Sequence, residues 1–166
     1  MPVQGKAISM RQPRLDDAKS IWSLVRSTHV LDVNACYTYL MLCRNFANTC
    51  VVAEVNGEVA GFLTAYICPE QLDTLFVWQI AVKQSERGQG LASGMLNALS
   101  QRNLFKNIRY LETTIAPSNT ASQALFQKFA RQMQTSCHVS SCFEAHHFPD
   151  EHERELLFRI GPFRHH

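Results

Sequence analysis

The chain has 166 residues, 46% of them apolar and 18% charged, which suits one core-bearing domain and excludes a disordered segment. Its net charge of +2, with 16 Lys and Arg scattered along the sequence, argues against a nucleic-acid partner. No apolar run reaches the ~20 residues of a membrane span and no signal-peptide core opens the chain, so a cytoplasmic location is expected.

In chain order, residues 7–12 read as a short edge strand closed by Pro13. Ala18, Ile21, Trp22 and Val25 mark one face of a helix over 16–27. Cys36, Tyr39, Leu40 and Cys43 mark a second helix, which Asp32 or Asn34 would cap. The six cysteines form no CxxC pair and are expected to be reduced, packed thiols rather than disulfides or metal ligands. The period then changes. "TCVVAEV" and "EVAGFLTAYIC" are β-rich and flank Asn56-Gly57, a hairpin signal. "TLFVWQIAV" (74–82) is the apolar run of a central strand.

A helix from Leu91 to about Gln101 follows, with Leu91, Met95 and Leu99 on one side. "RYLETTI" (109–115) is the next strand, and Ala121, Leu125 and Phe129 face inward from a helix over 119–131. "CHVSSCFEA" and "ELLFRIG" close the chain as two strands. The order β-α-α-β-β-β-α-β-α-β-β describes a single mixed α/β domain over residues 1–166, with a parallel crossover near 76–99 and antiparallel edges. The final His165-His166 pair is native or a tag remnant.

The turn "KQSERGQGLA" (83–92) links the central strand to a helix. A helix starting there leaves backbone N–H groups free to hold an anion, and Gly88 and Gly90 let that backbone come close to a phosphate. The P-loop GxxxxGK[ST] is absent, and GxGxxG is one residue out of step. Arg87-Gly88-Gln89-Gly90-Leu91-Ala92 does resemble the pyrophosphate loop, Gln/Arg-x-x-Gly-x-Gly/Ala, of the GNAT N-acetyltransferases. "APSNTASQALFQKFA" resembles the family's segment flanking the pantetheine arm, and the likeness spans almost the whole chain.

That resemblance implies the GNAT acyl-CoA fold, a mixed, mostly antiparallel sheet of about seven strands with four helices. Its fourth and fifth strands splay apart, and pantetheine lies in the slot like an added strand. Ile80, Ala81 and Val82 would bond the pantetheine amides. Arg87, Gly88, Gln89, Gly90, Leu91 and Ala92 would hold the pyrophosphate, with Asn119, Ser122 and Phe126 beside the arm. Acetyl-CoA is the implied co-substrate, no metal is expected, and relatives suggest a homodimer.

Four stretches, "LDVNACYTYL" (31–40), "FVWQIAV" (76–82), "LETTIAPSNTAS" (111–122) and "EHERELLFRIG" (151–161), are similar to the branch of the family that acetylates the γ-amine of L-2,4-diaminobutyrate in ectoine synthesis. Asp32 would pair with an ammonium or cap the helix. Tyr37, off the apolar stripe, would face the substrate or bulk solvent, and Asn34 stands beside it. Trp78 and Gln79 point to opposite strand faces; Trp78 would wall the pocket and offer its N–H, or pack in the core. Glu112 and Thr113 lie mid-strand, where an unpaired carboxylate is costly, so Glu112 meets a cationic substrate or a structural ion pair. His146, His147 and His152 cluster among acids without metal-ligand spacing, and the resemblance singles out His152 as closing over the substrate.

With an ordinary alkylamine pKa near ~10, roughly one amine in a thousand is neutral at pH 7. Glu112 is the expected base or the anchor of a water that reaches the amine, Trp78 assists, and a strand N–H near Ile80–Val82 would hold the oxyanion. The family's Tyr general acid is Phe126 here, so no acid is assigned. A thiol of pKa near ~8.5 leaves as thiolate without one. Direct transfer in a ternary complex is expected over a Cys acyl-enzyme. The alternatives are acetylation of another small diamine or amino acid and, given Phe126, a non-catalytic acyl-CoA-binding module.

Overall fold

A computed structural model describes residues 5–165, so His166 lies outside the described part. Its seven strands, β1 (Ile8–Arg11), β2 (Val51–Val55), β3 (Glu58–Cys68), β4 (Gln71–Val82), β5 (Tyr110–Ile115), β6 (Cys137–Phe143) and β7 (Glu155–Ile160), lie in one sheet in the order β1-β2-β3-β4-β5-β7-β6. The chain forms two compact units, one of residues up to 66 with 79–105, the other of 67–78 with 106–166.

In the first unit, β1 (Ile8–Arg11) pairs antiparallel with β2 (Val51–Val55), and β2 pairs with β3 (Glu58–Cys68). Asn56 and Gly57 both have positive φ (52° and 82°), the backbone of a two-residue hairpin turn that matches strand twist. Helix α1 (Ala18–Ser27) buries Ala18, Ile21, Leu24 and Val25, and α2 (Cys36–Asn45) buries Tyr39, Leu42 and Cys43. These join Val52, Phe62 and Ala81 in one core, with the Tyr39 and Phe62 rings edge to face at 6.2 Å. Arg11 ties β1 to Asp17 and Glu54 through its guanidinium.

Two expected helix faces rotate. Leu40 is 37% exposed, because α2 centres its buried stripe on Tyr39 and turns Leu42 inward instead. Trp22 is only partly buried, with Arg26 stacked 4.4 Å over its ring. Leu15–Asp17 form a 3-10 turn, so α1 starts two residues later than the apolar spacing indicates; Asp17 there takes the Arg14 N–H at 2.6 Å.

β4 (Gln71–Val82) contributes Gln71–Trp78 to the second unit and Gln79–Val82 to the first. It starts three residues before the apolar run, since Gln71 and Leu72 are exposed and the run marks only the buried part. Helix α3 (Leu91–Ser100) belongs to the first unit. In the second unit β5 (Tyr110–Ile115) runs parallel to β4, with Thr74, Leu75 and Phe76 opposite Tyr110, Leu111 and Glu112. β7 (Glu155–Ile160) is antiparallel to both β5 and β6 (Cys137–Phe143). Helix α4 (Thr120–Gln132) buries Phe126, Phe129 and Ala130, while Ala121 is exposed. The inward face is therefore one residue round from the expected Ala121–Leu125–Phe129 line.

Candidate active site

The turn after β4 is built to offer backbone. Gly88 and Gly90 adopt φ of 77° and 76°, and α3 begins at Leu91 with no side-chain cap. The Gly94 N–H is bonded to the Gly90 carbonyl, so the N–H groups of Leu91, Ala92 and Ser93 precede the first intrahelical donor of the helix. A Cβ built on Gly88 or Gly90 would meet nothing within 4 Å, so the space beside these donors is open. Arg87 is exposed and its Nε donates to the Val82 carbonyl at 3.3 Å, while Gln89 Nε2 bonds Glu86 at 3.1 Å. Lys6 donates to Glu86 at 2.8 Å and holds that carboxyl below its usual range. This arrangement fits a pyrophosphate: free helix-start amides, a favourable dipole and room for the group.

Upstream in the same unit, Gln79 is 5% exposed and forms a hub. The Tyr39 hydroxyl donates to its Oε1 at 3.1 Å, and its Nε2 donates to the Asp32 carbonyl at 3.4 Å. Burial pushes the Tyr39 hydroxyl pKa up, against the opposing Asn34 and Gln79 amides. Among the described residues the buried Asn34 Nδ2 has no partner that meets hydrogen-bond criteria, although its amide is near enough to the Tyr39 hydroxyl to oppose that rise. Neither Asp32 nor Asn34 caps α2. Ala35 occupies the N-cap with no side-chain bond, because Gln79, not the helix start, fastens the 31–35 loop. The Asp32 side chain and Tyr37, 70% exposed, are thus open to a ligand. Ile80 and Val82 are part-buried and Ala81 is buried.

The second unit holds Glu112. Its Oε1 accepts from Arg159 Nη1, its cross-strand partner on β7, and Arg159 stacks 3.8 Å over the Tyr110 ring. Among the described residues Oε2 takes no hydrogen bond, although the side chain is only 14% exposed. The structural ion pair, one of the two readings of Glu112 from sequence, is present and occupies one of its oxygens. Where the β4–β5 pairing ends, at Phe76 and Glu112, the Thr113 hydroxyl donates to the Val77 carbonyl at 2.9 Å. Thr113 is 3% exposed, and this bond ties its side chain to the neighbouring strand. Trp78 is 42% exposed, the opposite of Gln79, as strand alternation requires. His152 stacks on Phe148 at 3.8 Å in the loop before β7.

Asn119 caps α4, its Oδ1 accepting from the Ser122 N–H at 3.1 Å, so local helix geometry accounts for both residues. Phe126 is buried at 3% exposure, which leaves no hydroxyl at that helix position. All six cysteines are free. Burial pushes Cys43 to about 12 and Cys50 to about 11. Cys68 and Cys142 are also raised, by burial first and then by the negative charge of Glu112. Thiols near Glu112 are therefore held protonated, which disfavours a nucleophilic cysteine. Among the described residues no group of three or more His, Cys, Asp or Glu could hold a metal. Sequence reasoning missed Tyr39 and Arg159 as site residues. Arg159 carried the same signal as Glu112, a charge inside an apolar strand, "LLFRI".

Residues 18–130 match the GNAT acetyltransferase family. The chain belongs to that family. Curated relatives include the L-2,4-diaminobutyric acid acetyltransferases of Marinococcus halophilus, 53% identical over 95% of this chain and 91% of that one, and of Shouchella clausii, 50% identical over 98% and 91%. Among solved structures, the diaminobutyrate acetyltransferase EctA of Paenibacillus lautus, in complex with its substrate L-2,4-diaminobutyric acid and coenzyme A, superposes with TM-score 0.93. It is 40% identical over 98% of this chain and 99% of that one. The Ard1 protein of Thermoplasma volcanium, at 15% identity and TM-score 0.79 over 95% and 99%, shares the fold. The GNAT fold expected from the turn is thus the observed one, with β4 parallel to β5 and four helices.

Proposed function

We propose that this GNAT enzyme transfers the acetyl group of acetyl-CoA to the γ-amine of L-2,4-diaminobutyrate, giving N-γ-acetyl-L-2,4-diaminobutyrate for ectoine synthesis. The observation that carries the reading is Glu112, a nearly buried carboxylate with one oxygen uncommitted, in a chain alike over almost its full length to acetyltransferases of that name. The free Glu112 oxygen receives the reacting amine, directly or through water. Asp32 pairs with the other ammonium, and the buried Asn34 amide, near the Tyr39 hydroxyl, suits the substrate carboxylate. Tyr37, Trp78 and His152 complete the acceptor side. Gln79 and Thr113 act by positioning, since their polar atoms are engaged.

Acetyl-CoA is held by the turn amides of 87–92 and by the Ile80–Val82 backbone, with Asn119, Ser122 and Phe126 along its arm. The deprotonated amine attacks the thioester carbonyl, a strand N–H in Ile80–Val82 stabilises the oxyanion, and the C–S bond breaks to release CoA thiolate. The amine proton goes to Glu112 or, by water, to solvent. Buried Phe126 supplies no acid, and a thiolate leaves without one. The protonated cysteines favour direct transfer in a ternary complex.

Residues 1–166 act as one catalytic domain, since each unit is assembled from segments separated in sequence. The protein works in the cytoplasm without nucleic acid or membrane; no helix among the described residues is long and apolar enough to cross a bilayer. A homodimer suits the exposed β6 edge, where Val139 and Phe143 are 42% and 45% exposed. Thiol release from acetyl-CoA with a panel of diamines tests the activity. Turnover fastest on L-2,4-diaminobutyrate with γ-acetylated product is expected. Preference for ornithine or lysine overturns the acceptor, and no turnover with any amine overturns the enzyme.

A further inference from the structure

Thr64, on β3, is fully buried, yet its hydroxyl meets no other side chain in the hydrogen bonds of the described residues. It stands instead on the backbone of Gln79. The Gln79 N–H donates to Thr64 Oγ1 at 2.9 Å, and Oγ1 lies 3.4 Å from the Gln79 carbonyl as donor. This pairing is at a defined register. The Lys83 N–H bonds the Ala60 carbonyl at 2.8 Å; Gln79 lies four residues before Lys83, and Thr64 four residues after Ala60. In an unbroken antiparallel ladder these two residues face each other as a directly bonded pair. One side-chain hydroxyl is thus within hydrogen-bond reach of both the N–H and the carbonyl of Gln79.

We propose that Thr64 is a positioning residue for the reaction, setting the path of β4 at Gln79 and with it both halves of the first unit's site. Downstream of the held residue lie Ile80–Val82, the backbone assigned to the CoA arm. From its side chain hang Tyr39 and, through the Asp32 carbonyl, the loop that carries the Asp32 carboxylate. The 79–82 backbone and the 31–35 loop thus take their position from the same hydroxyl. The inference rests on the acetyl-CoA and diamine reading above.

Thr64→Val keeps the branched shape and removes the hydroxyl, leaving the Gln79 N–H and carbonyl without that partner; Thr64→Ser keeps the hydroxyl. The experiment measures steady-state kinetics for both substrates well below the melting temperature, with CoA affinity by titration calorimetry. Thr64→Val is expected to lower kcat/KM for acetyl-CoA and for the diamine by roughly tenfold each, and to weaken CoA binding by a similar factor. Thr64→Ser is expected to stay within about twofold of wild type. Should Thr64→Val not fold, Thr64→Cys applies the same test, since a thiol fills the space but accepts the N–H weakly. A lowered melting temperature with unchanged kinetics and CoA affinity overturns the positioning role, as does a Thr64→Ser variant as impaired as Thr64→Val. A wild-type enzyme inactive on diamines, by contrast, overturns the acceptor reading and leaves the CoA-affinity arm to decide Thr64.

Discussion

Arg11 in the first unit and Arg159 in the second each stand on a strand and hold a carboxylate, but they leave different amounts of it free. Both Asp17 oxygens take Arg11, one also takes the Arg14 N–H, and both Glu54 oxygens are bonded, by Arg11 and by Ser9. Glu112 gives one oxygen to Arg159 and keeps the other. A carboxylate with both oxygens already bonded offers little to a ligand and works as scaffold. A half-saturated one, oriented by an arginine that itself stacks on Tyr110, has an oxygen able to accept a further donor.

The sharpest way to break this contrast is Glu112→Gln, which keeps the shape and removes the charge. We expect kcat to fall by roughly 10²-fold or more, with acetyl-CoA KM nearly unchanged and circular dichroism intact. Wild-type-like kcat would remove Glu112 from the chemistry. Asp17→Asn should do the reverse, costing on the order of 2 kcal/mol of stability while kinetics at neutral pH stay within about twofold. Its pH dependence has a definite sign. Arg11, more than the opposing desolvation, holds the Asp17 pKa below its ordinary value. The stabilisation is therefore fully present above about pH 4, the unfolded value, and fades as pH falls through the lower native value. Denaturant midpoints of wild type and Asp17→Asn should converge on acidification; parallel curves would deny the linkage.

Arg159→Met should raise diamine KM by about tenfold, through a Glu112 no longer held, with a smaller fall in kcat. A variant that loses only thermal stability would make Arg159 scaffold like Arg11. The smallest effect is expected from Arg87→Ala. The turn offers backbone amides, and among the described residues the one bond of the Arg87 side chain is to Val82, so acetyl-CoA KM should rise no more than about threefold. A loss of tenfold or more would show that its guanidinium, not the amides, holds the anion.

The elements were legible because their signals are local. Asn56-Gly57 encodes its own positive φ, and the period change at 49–55 follows from strand alternation. The turn at 83–92 was legible for the same reason, since Gly88 and Gly90 set a backbone that any ligand-facing amide can use. Helix faces were less so. Leu40 and Leu42 are both apolar neighbours of Tyr39, and only packing against Phe62 and Val52 chose between them. Glu112 stood out as a charge in a strand, but its partner lies 47 residues away and no spacing points to it.

The sequence by itself determined the order of elements, the glycine turn ahead of α3 and the residues able to carry acid–base chemistry. Only the tertiary structure decided that Gln79 meets Tyr39 and the Asp32 carbonyl, that Thr113 bonds the Val77 carbonyl, that Ala35 rather than Asp32 or Asn34 is the N-cap of α2, and that Arg159 takes one oxygen of Glu112. The physical reason is range. Turn and strand preferences are fixed by each residue's own dihedrals and neighbours, whereas a hydrogen bond's partner is chosen by whichever donor long-range folding brings within 3 Å or so.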